Sequence, residues 1–176
     1  MIKNTKERYG SAAKFFHWAA GFIILAMIVM GTVMVSSSGE LRPTLIVYHR
    51  ALGLVLLLLV IFRLIWALRG PRPELPLSVP ALQRGGANVA HISMYVIMMA
   101  MPIVGWIMVS ASGLPIDLPG GGLLPALIKP DPNLYILAKW THRGLAAVLA
   151  AFIMIHIAGA LYHLFVAKDG VFEKMG

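Results

Sequence analysis

Residues 140–163 read WTHRGLAAVLAAFIMIHIAGALYH, an apolar, helix-compatible run interrupted by His142, His156 and His163. On an α-helix the 14 residues between His142 and His156 span about 21 Å and return to nearly the same face. Each of the two is followed four residues later by a small side chain, Ala146 and Ala160. Positions i and i+4 lie one above the other on a helix. Working outward, the same pairing recurs at His17/Gly21 and His49/Gly53. A nitrogen ligand with a flat shelf one turn away suits a wide planar group, and haem fits that description.

The surrounding composition says where such a helix lives. The chain has 176 residues, of which 59% are hydrophobic and only 12% charged, and its mean hydropathy is +0.82. These values lie far outside the range of soluble domains and point to a polytopic membrane protein in a lipid bilayer. The length suits a single domain over residues 1–176, with a few spans and no separate soluble catalytic unit. No small-residue cleavage site of the A-x-A type follows the first apolar stretch, so that stretch reads as a retained helix.

Cysteine is absent, which excludes thiolate-ligated haem, c-type attachment, cysteine-held iron–sulfur clusters and disulfides. Gly120, Gly121 and Gly122 follow Pro119 with no strand pattern before them and no helix pattern after. They therefore do not read as a phosphate-binding loop, and nicotinamide or flavin chemistry would come from elsewhere. The net charge of +8 is spread over the loops between apolar spans. It reads as a device for orienting the chain in the membrane, with no nucleic-acid partner.

Four segments are long enough to cross about 30 Å of hydrocarbon. They run from about Ala12 to Val35, Thr44 to Leu68, Ala87 to Ser110 and Leu134 to Val166. Ser11 is a candidate N-cap for the first, and Pro102 is expected to kink the third. The fourth is long enough to tilt or to project. The connection from Ser112 to Asn133, rich in proline and glycine, reads as an ordered cap at the interface. Ten Lys and Arg residues fall on the side of both termini and five on the other. The positive-inside rule then gives an all-α, four-transmembrane-helix bundle with both termini in the cytoplasm, N-in/C-in.

Threading the histidines through that topology sorts them by depth. His49 and His142 lie near the outer surface; His17, His91, His156 and His163 lie toward the inside. The outer pair shares a local pattern, His49-Arg50-Ala51-Leu52-Gly53 against His142-Arg143-Gly144-Leu145-Ala146. Two helices of the same polarity thus present one motif at one depth, as two axial ligands of one iron require. For the inner site His156 can pair with His17 or with His91. Gly21 follows His17, whereas Tyr95 follows His91 and would collide with a macrocycle on that face, so His17 is preferred. Arg63, 14 residues after His49 and on its face, has no acidic partner within the spans. It either meets a haem propionate or snorkels to the headgroups.

These segments resemble the bacterial cytochrome b561 family, short four-helix dihaem proteins of the inner membrane. The resemblance rests on Phe16-His17-Trp18, on Tyr48-His49-Arg50 through to Arg63, and on His91 to Gly105 with its Met101-Pro102-Ile103-Val104-Gly105 stretch. Trp140-Thr141-His142, His156 and Ala160-Leu161-Tyr162-His163 with Lys168-Asp169 complete it. It implies two b-type haems, with His17 and His156 on one iron and His49 and His142 on the other. For some members it implies oxidation of superoxide at the outer face and reduction of ubiquinone at the inner one, with His163 on the quinone side. On that reading Arg50, Lys139 and Arg143 steer an anionic donor toward the outer site, and Arg50 and Arg143 also neutralise propionates. His163 offers a hydrogen bond or a proton to a quinone oxygen. The alternative is a cytochrome b subunit that passes electrons between a dehydrogenase or hydrogenase partner and the quinone pool. A haem-free scaffold or transporter is the third class, and assembly as a homo-oligomer is open.

Overall fold

The computed structural model describes residues 1–74, 76 and 79–176. Four helices dominate: α1 (Ser11–Ser36), α2 (Leu41–Arg69), α3 (Ala81–Ser112) and α4 (Pro132–Tyr162). All four are long and apolar enough to cross a membrane. Their faces away from the bundle carry exposed large apolar side chains such as Phe22, Phe62, Ile92 and Met154. Lipid, which is as apolar as they are, leaves no penalty for that exposure. α1 packs on α2, α2 on α3 and α3 on α4, while α4 makes only sparse direct contact with α1 and α2.

The buried core is a single apolar layer. It joins Ala20 and Ile24 of α1, Leu56 and Val60 of α2, Met94, Ile97 and Met98 of α3, and Leu149 of α4. Leu149 lies seven residues from both His142 and His156, so the layer sits between the two histidine levels.

Four boundaries differ from the sequence reading, each for a local reason. Ser11 is not the N-cap of α1; Gly10 is, without a side-chain cap. The N-terminal tail takes over that role: Ser11 N–H donates to the Met1 carbonyl at 3.0 Å, and Gly10 N–H donates to Asn4 Oδ1 at 3.1 Å. α2 begins at Leu41, with Pro43 inside its first turn, where a missing N–H costs nothing. α3 begins at Ala81, directly after Pro80, and runs through Gly85 and Gly86, where a β-carbon would meet nothing within 4 Å. α4 ends at Tyr162 and continues as a π-helical turn, His163–Ala167. Its start is well capped, with Pro132 at the first position and Asp131 Oδ1 accepting from Asn133 and Leu134 N–H at 2.9 and 3.1 Å.

The α3–α4 connection is ordered, as expected, but contains a hairpin that the sequence reading missed. β1 (Ile116–Asp117) pairs antiparallel with β2 (Leu123–Leu124), so a short strand does precede Gly120. Pro119 followed by Gly120 at φ 82° makes the turn, the proline–glycine order that a type II turn demands. The loop is tied to α3 by Trp106 Nε1–H donating to Pro125 O at 2.9 Å and Leu127 N–H to Ser110 Oγ at 3.0 Å. No helix follows the glycines directly.

At the opposite end the two tails dock on each other. Tyr9 N–H donates to Lys174 O at 3.3 Å, Glu74 N–H to Lys6 O at 2.9 Å, and Trp18 Nε1–H to Met175 O at 3.2 Å; Lys14 Nζ reaches Gly176 O. A β-carbon on Gly10 would run into the carbonyls of Ile2 and Lys3. Gly10→Ala should therefore undock the tail while leaving the spans inserted. Trypsin should cut after Lys3, Lys6 or Arg8 several-fold faster than in the wild type, and an unchanged digestion rate would contradict this account of Gly10.

Candidate functional site

Each histidine of interest is set by one helix, and the bundle brings them together across the two loosely packed seams. His49 of α2 faces His142 of α4, with ring centroids 6.2 Å apart and planes 67° from parallel. His17 of α1 faces His156 of α4 at 6.0 Å and 74°. His91 of α3 also approaches His156, at 5.3 Å and 67°. His156 therefore has two imidazole neighbours and His142 has one.

These distances carry chemical information. An imidazole centroid lies about 1.1 Å from its ring nitrogens, and a first-row metal–imidazole bond is about 2.0 Å. Two rings on opposite sides of one metal thus hold their centroids about 6.2 Å apart. The His49–His142 and His17–His156 spacings match this value, and the His91–His156 spacing is shorter. Among the described residues no three His, Asp or Glu side chains converge on a common point, so the arrangement is one of facing pairs and not of a chelating cluster.

The polar bookkeeping points the same way. The Nδ1 atoms of His17, His49 and His142 and the Nε of Arg50 are buried without a hydrogen-bond partner. A buried polar atom left unpaired costs about 1–3 kcal/mol, and such atoms in a native fold call for a reason. A group with a nitrogen-seeking metal and anionic carboxylates would use both kinds of atom. The glycine shelves differ: a β-carbon on Gly21, one turn from His17, would meet nothing within 4 Å, whereas one on Gly53, one turn from His49, would meet Met27 Cε at 3.6 Å.

The cationic residues are distributed as follows. Arg50 is half-buried and its Nη1 donates to Pro115 O at 3.4 Å, linking α2 to the hairpin loop. Lys139 lies 5.9 Å over the Tyr135 ring and Arg143 lies 5.4 Å over Trp140, both as neighbours along α4. Arg63 stacks 5.5 Å over Tyr95, one turn beyond His91 on α3. Among the described residues it pairs with no carboxylate, and the aromatic face is its visible partner. His163 does not stand alone below His156: its Nδ1 lies 2.8 Å from Asp169 Oδ2.

With this geometry in view, similarity to known proteins is informative. The family model for prokaryotic cytochrome b561 matches residues 8–176. The chain belongs to the prokaryotic cytochrome b561 family. It is 29% identical over 177 residues to cytochrome b561 homolog 2 of Escherichia coli (strain K12), covering 98% of this chain and 93% of that protein. It is 26% identical over 175 residues to cytochrome b561 homolog 1 of the same organism, covering 96% and 97%. A third relative, named probable superoxide oxidase CybB, from Yersinia pestis, is 24% identical over 173 residues, covering 96% of each chain. A cytochrome b561 is a transmembrane electron-transfer protein carrying b-type haem, so this chain is a multi-pass protein of a bacterial inner membrane and an oxidoreductase by class.

Two glycines of the site escaped the sequence reading. A β-carbon on Gly105 of α3 would sit 3.3 Å from His142 Cε1 and 3.5 Å from its Nδ1, and one on Gly31 of α1 would sit 3.8 Å from His49 Cε1. The His142 ring thus lies close against bare backbone of a third helix at Gly105, whereas at Gly31 a β-carbon would make ordinary contact with His49. A valine at position 105 could not be accommodated without displacing His142. Gly105→Val should therefore lower the haem content of the purified cytochrome, measured as the pyridine haemochrome. Haem content equal to that of the wild type would show that Gly105 does not position the ring.

Proposed function

We propose that this cytochrome b561 is a superoxide:ubiquinone oxidoreductase, with two b-type haems held by His49 with His142 and by His17 with His156. The observation that carries the reading is the presence of two facing imidazole pairs on α4, 14 residues apart, with an apolar layer between them. Both pairs have the spacing of axial ligands, and 6.0 Å for His17 suits that role better than 5.3 Å for His91. Held by these histidines, the haems would supply one-electron redox chemistry.

Charge supports the choice of donor. Arg50, Lys139 and Arg143 gather at the end of the bundle that holds the outer pair, and a cationic rim draws an anionic donor. The excess of basic residues around the two docked tails supports a cytoplasmic placement for both termini, which puts the outer pair on the periplasmic side. The printed name of the Yersinia pestis relative favours superoxide over a protein donor. The balance is two superoxide anions and one ubiquinone, with two protons, giving two dioxygen molecules and one ubiquinol. Arg50 and Arg143 neutralise haem carboxylates in this reading, Arg63 does so at the inner level, and His163 serves the quinone.

Haem quantification on purified protein should return two b-type haems per chain. His49→Ala and His142→Ala should each remove the same haem, and His17→Ala and His156→Ala the other, while His91→Ala keeps both. Loss of a haem in His91→Ala but not in His17→Ala would reverse the inner assignment.

A superoxide flux supplied to the purified protein with a soluble ubiquinone analogue should reduce the haems faster than dismutation competes. That rate should fall as salt rises, because charges are screened over about 8–10 Å at physiological ionic strength. Arg50→Gln with Lys139→Gln should slow haem reduction, and His163→Ala should impair only the passage of electrons to quinone. Haems that ignore superoxide but are reduced by a co-purifying dehydrogenase would transfer the function to a conduit subunit.

A further inference from the structure

The turn that ends α4 is built around one polar pair. In a straight α-helix residues 163 and 169 would be about 9 Å apart along the axis and on different faces. The chain instead leaves α4 through the π-helical turn, and Lys168, at φ 49°, closes it by donating its N–H to His163 O at 2.9 Å. That reversal brings Asp169 Oδ2 to 2.8 Å from His163 Nδ1. The other carboxylate oxygen accepts from Val171 N–H at 3.2 Å. A left-handed residue and a π turn are both uncommon, and such features gather at functional positions.

The pair is partly buried, its side chains 18% and 13% exposed. Burial works against the charge on Asp169, yet the hydrogen bonds from His163 and from the Val171 backbone hold its carboxyl below the ordinary range. Asp169 is thus an acceptor-only carboxylate, and the shared proton resides on His163 Nδ1. Nε2 is the nitrogen left over. His163, Asp169 and Tyr162 line a cavity of about 290 Å³ whose other wall is the start of α3, at Pro80 and Gln83.

We propose that Asp169 is the positioning residue of a quinone-protonating dyad in this cavity, fixing the His163 ring so that Nε2 is offered to a quinone oxygen. The inference rests on the ubiquinone half of the function proposed above. Reducing a quinone to a quinol takes two electrons, supplied in that reading by two superoxide anions, and two protons. One proton leaves Nε2 of the His163 imidazolium for the quinone oxygen it faces, the opposite quinone oxygen takes its proton from water, and water reprotonates the neutral ring. Asp169 keeps its charge and its hydrogen bond to Nδ1–H throughout, so the imidazolium always faces a counter-charge.

The test uses the haem-loaded protein in detergent, reduced with stoichiometric dithionite and mixed with ubiquinone-1 while haem reoxidation is followed. Asp169→Asn is isosteric and keeps an acceptor for Val171 N–H, so haem content should match the wild type. Reoxidation should slow by about 10- to 100-fold, the order of a general-acid contribution. His163→Ala and the double variant should be equally slow, because Asp169 acts only through His163. Imidazole nitrogen resonances of His163 should report a proton on Nδ1 in the wild type and a shift toward Nε2–H in Asp169→Asn. A double variant slower than His163→Ala by the full Asp169→Asn factor would overturn the inference. So would an Asp169→Asn protein that reacts as fast as the wild type with the same tautomer. A wild type that ubiquinone-1 cannot reoxidise would bring down the function itself, and the dyad's role with it.

Discussion

A neutral imidazole in a membrane interior has two polar nitrogens and no water to satisfy them. The rest of this structure is arranged around that constraint. The backbone solves its own share of the problem by forming four helices, but a ring nitrogen must find a partner across a helix–helix seam. Here the rings of α1 and α2 meet those of α4, while α4 takes its close packing from α3 instead. The helix that gives a histidine to each pair is held by α3, which also brings His91 to 5.3 Å from the His156 ring.

Between the seams the core turns wholly apolar, with Leu149 at its centre on α4 and Val60 fully buried on α2. The buried side chains of this layer are hydrocarbon and thioether, with the Tyr95 ring packed against its side under Arg63. The chain thus keeps its charged side chains toward the two ends of the bundle, with an apolar layer between them. The hairpin loop lies at one end with Arg50, Lys139 and Arg143, and the His163–Asp169 pair lies at the other with the docked tails.

The ends are also where the irregular backbone is found. The π-helical turn, the left-handed Lys168, the proline–glycine hairpin and the docked tails all lie outside the apolar layer. Irregular backbone needs polar partners, and only the ends offer side chains, loop carbonyls and water to supply them. Ordered chemistry at a membrane surface is cheap in this respect, and the same elements in mid-span would leave backbone groups unpaired.

Much of this was legible along the chain. The apolar run lengths set the four helices, the 14-residue interval on α4 set two levels, and the lack of cysteine restricted haem ligation to other side chains. Only two histidines fall at the outer level, so their pairing needed no tertiary information. Helix ends were read less well, because Gly10 is capped by the distant Met1 and Asn4 backbone and side chain, and α3 gains turns at residues with no apolar period. What the three-dimensional fold alone decided are relations between segments: His156 flanked by both His17 and His91, Gly105 supporting the ring of His142, and Asp169 turned back onto His163. Periodicity within a helix reports which residues share a face. It carries no record of which bare stretch of a second helix, or which residue beyond a non-α turn, will lie against that face, because those contacts are set by packing across the bundle.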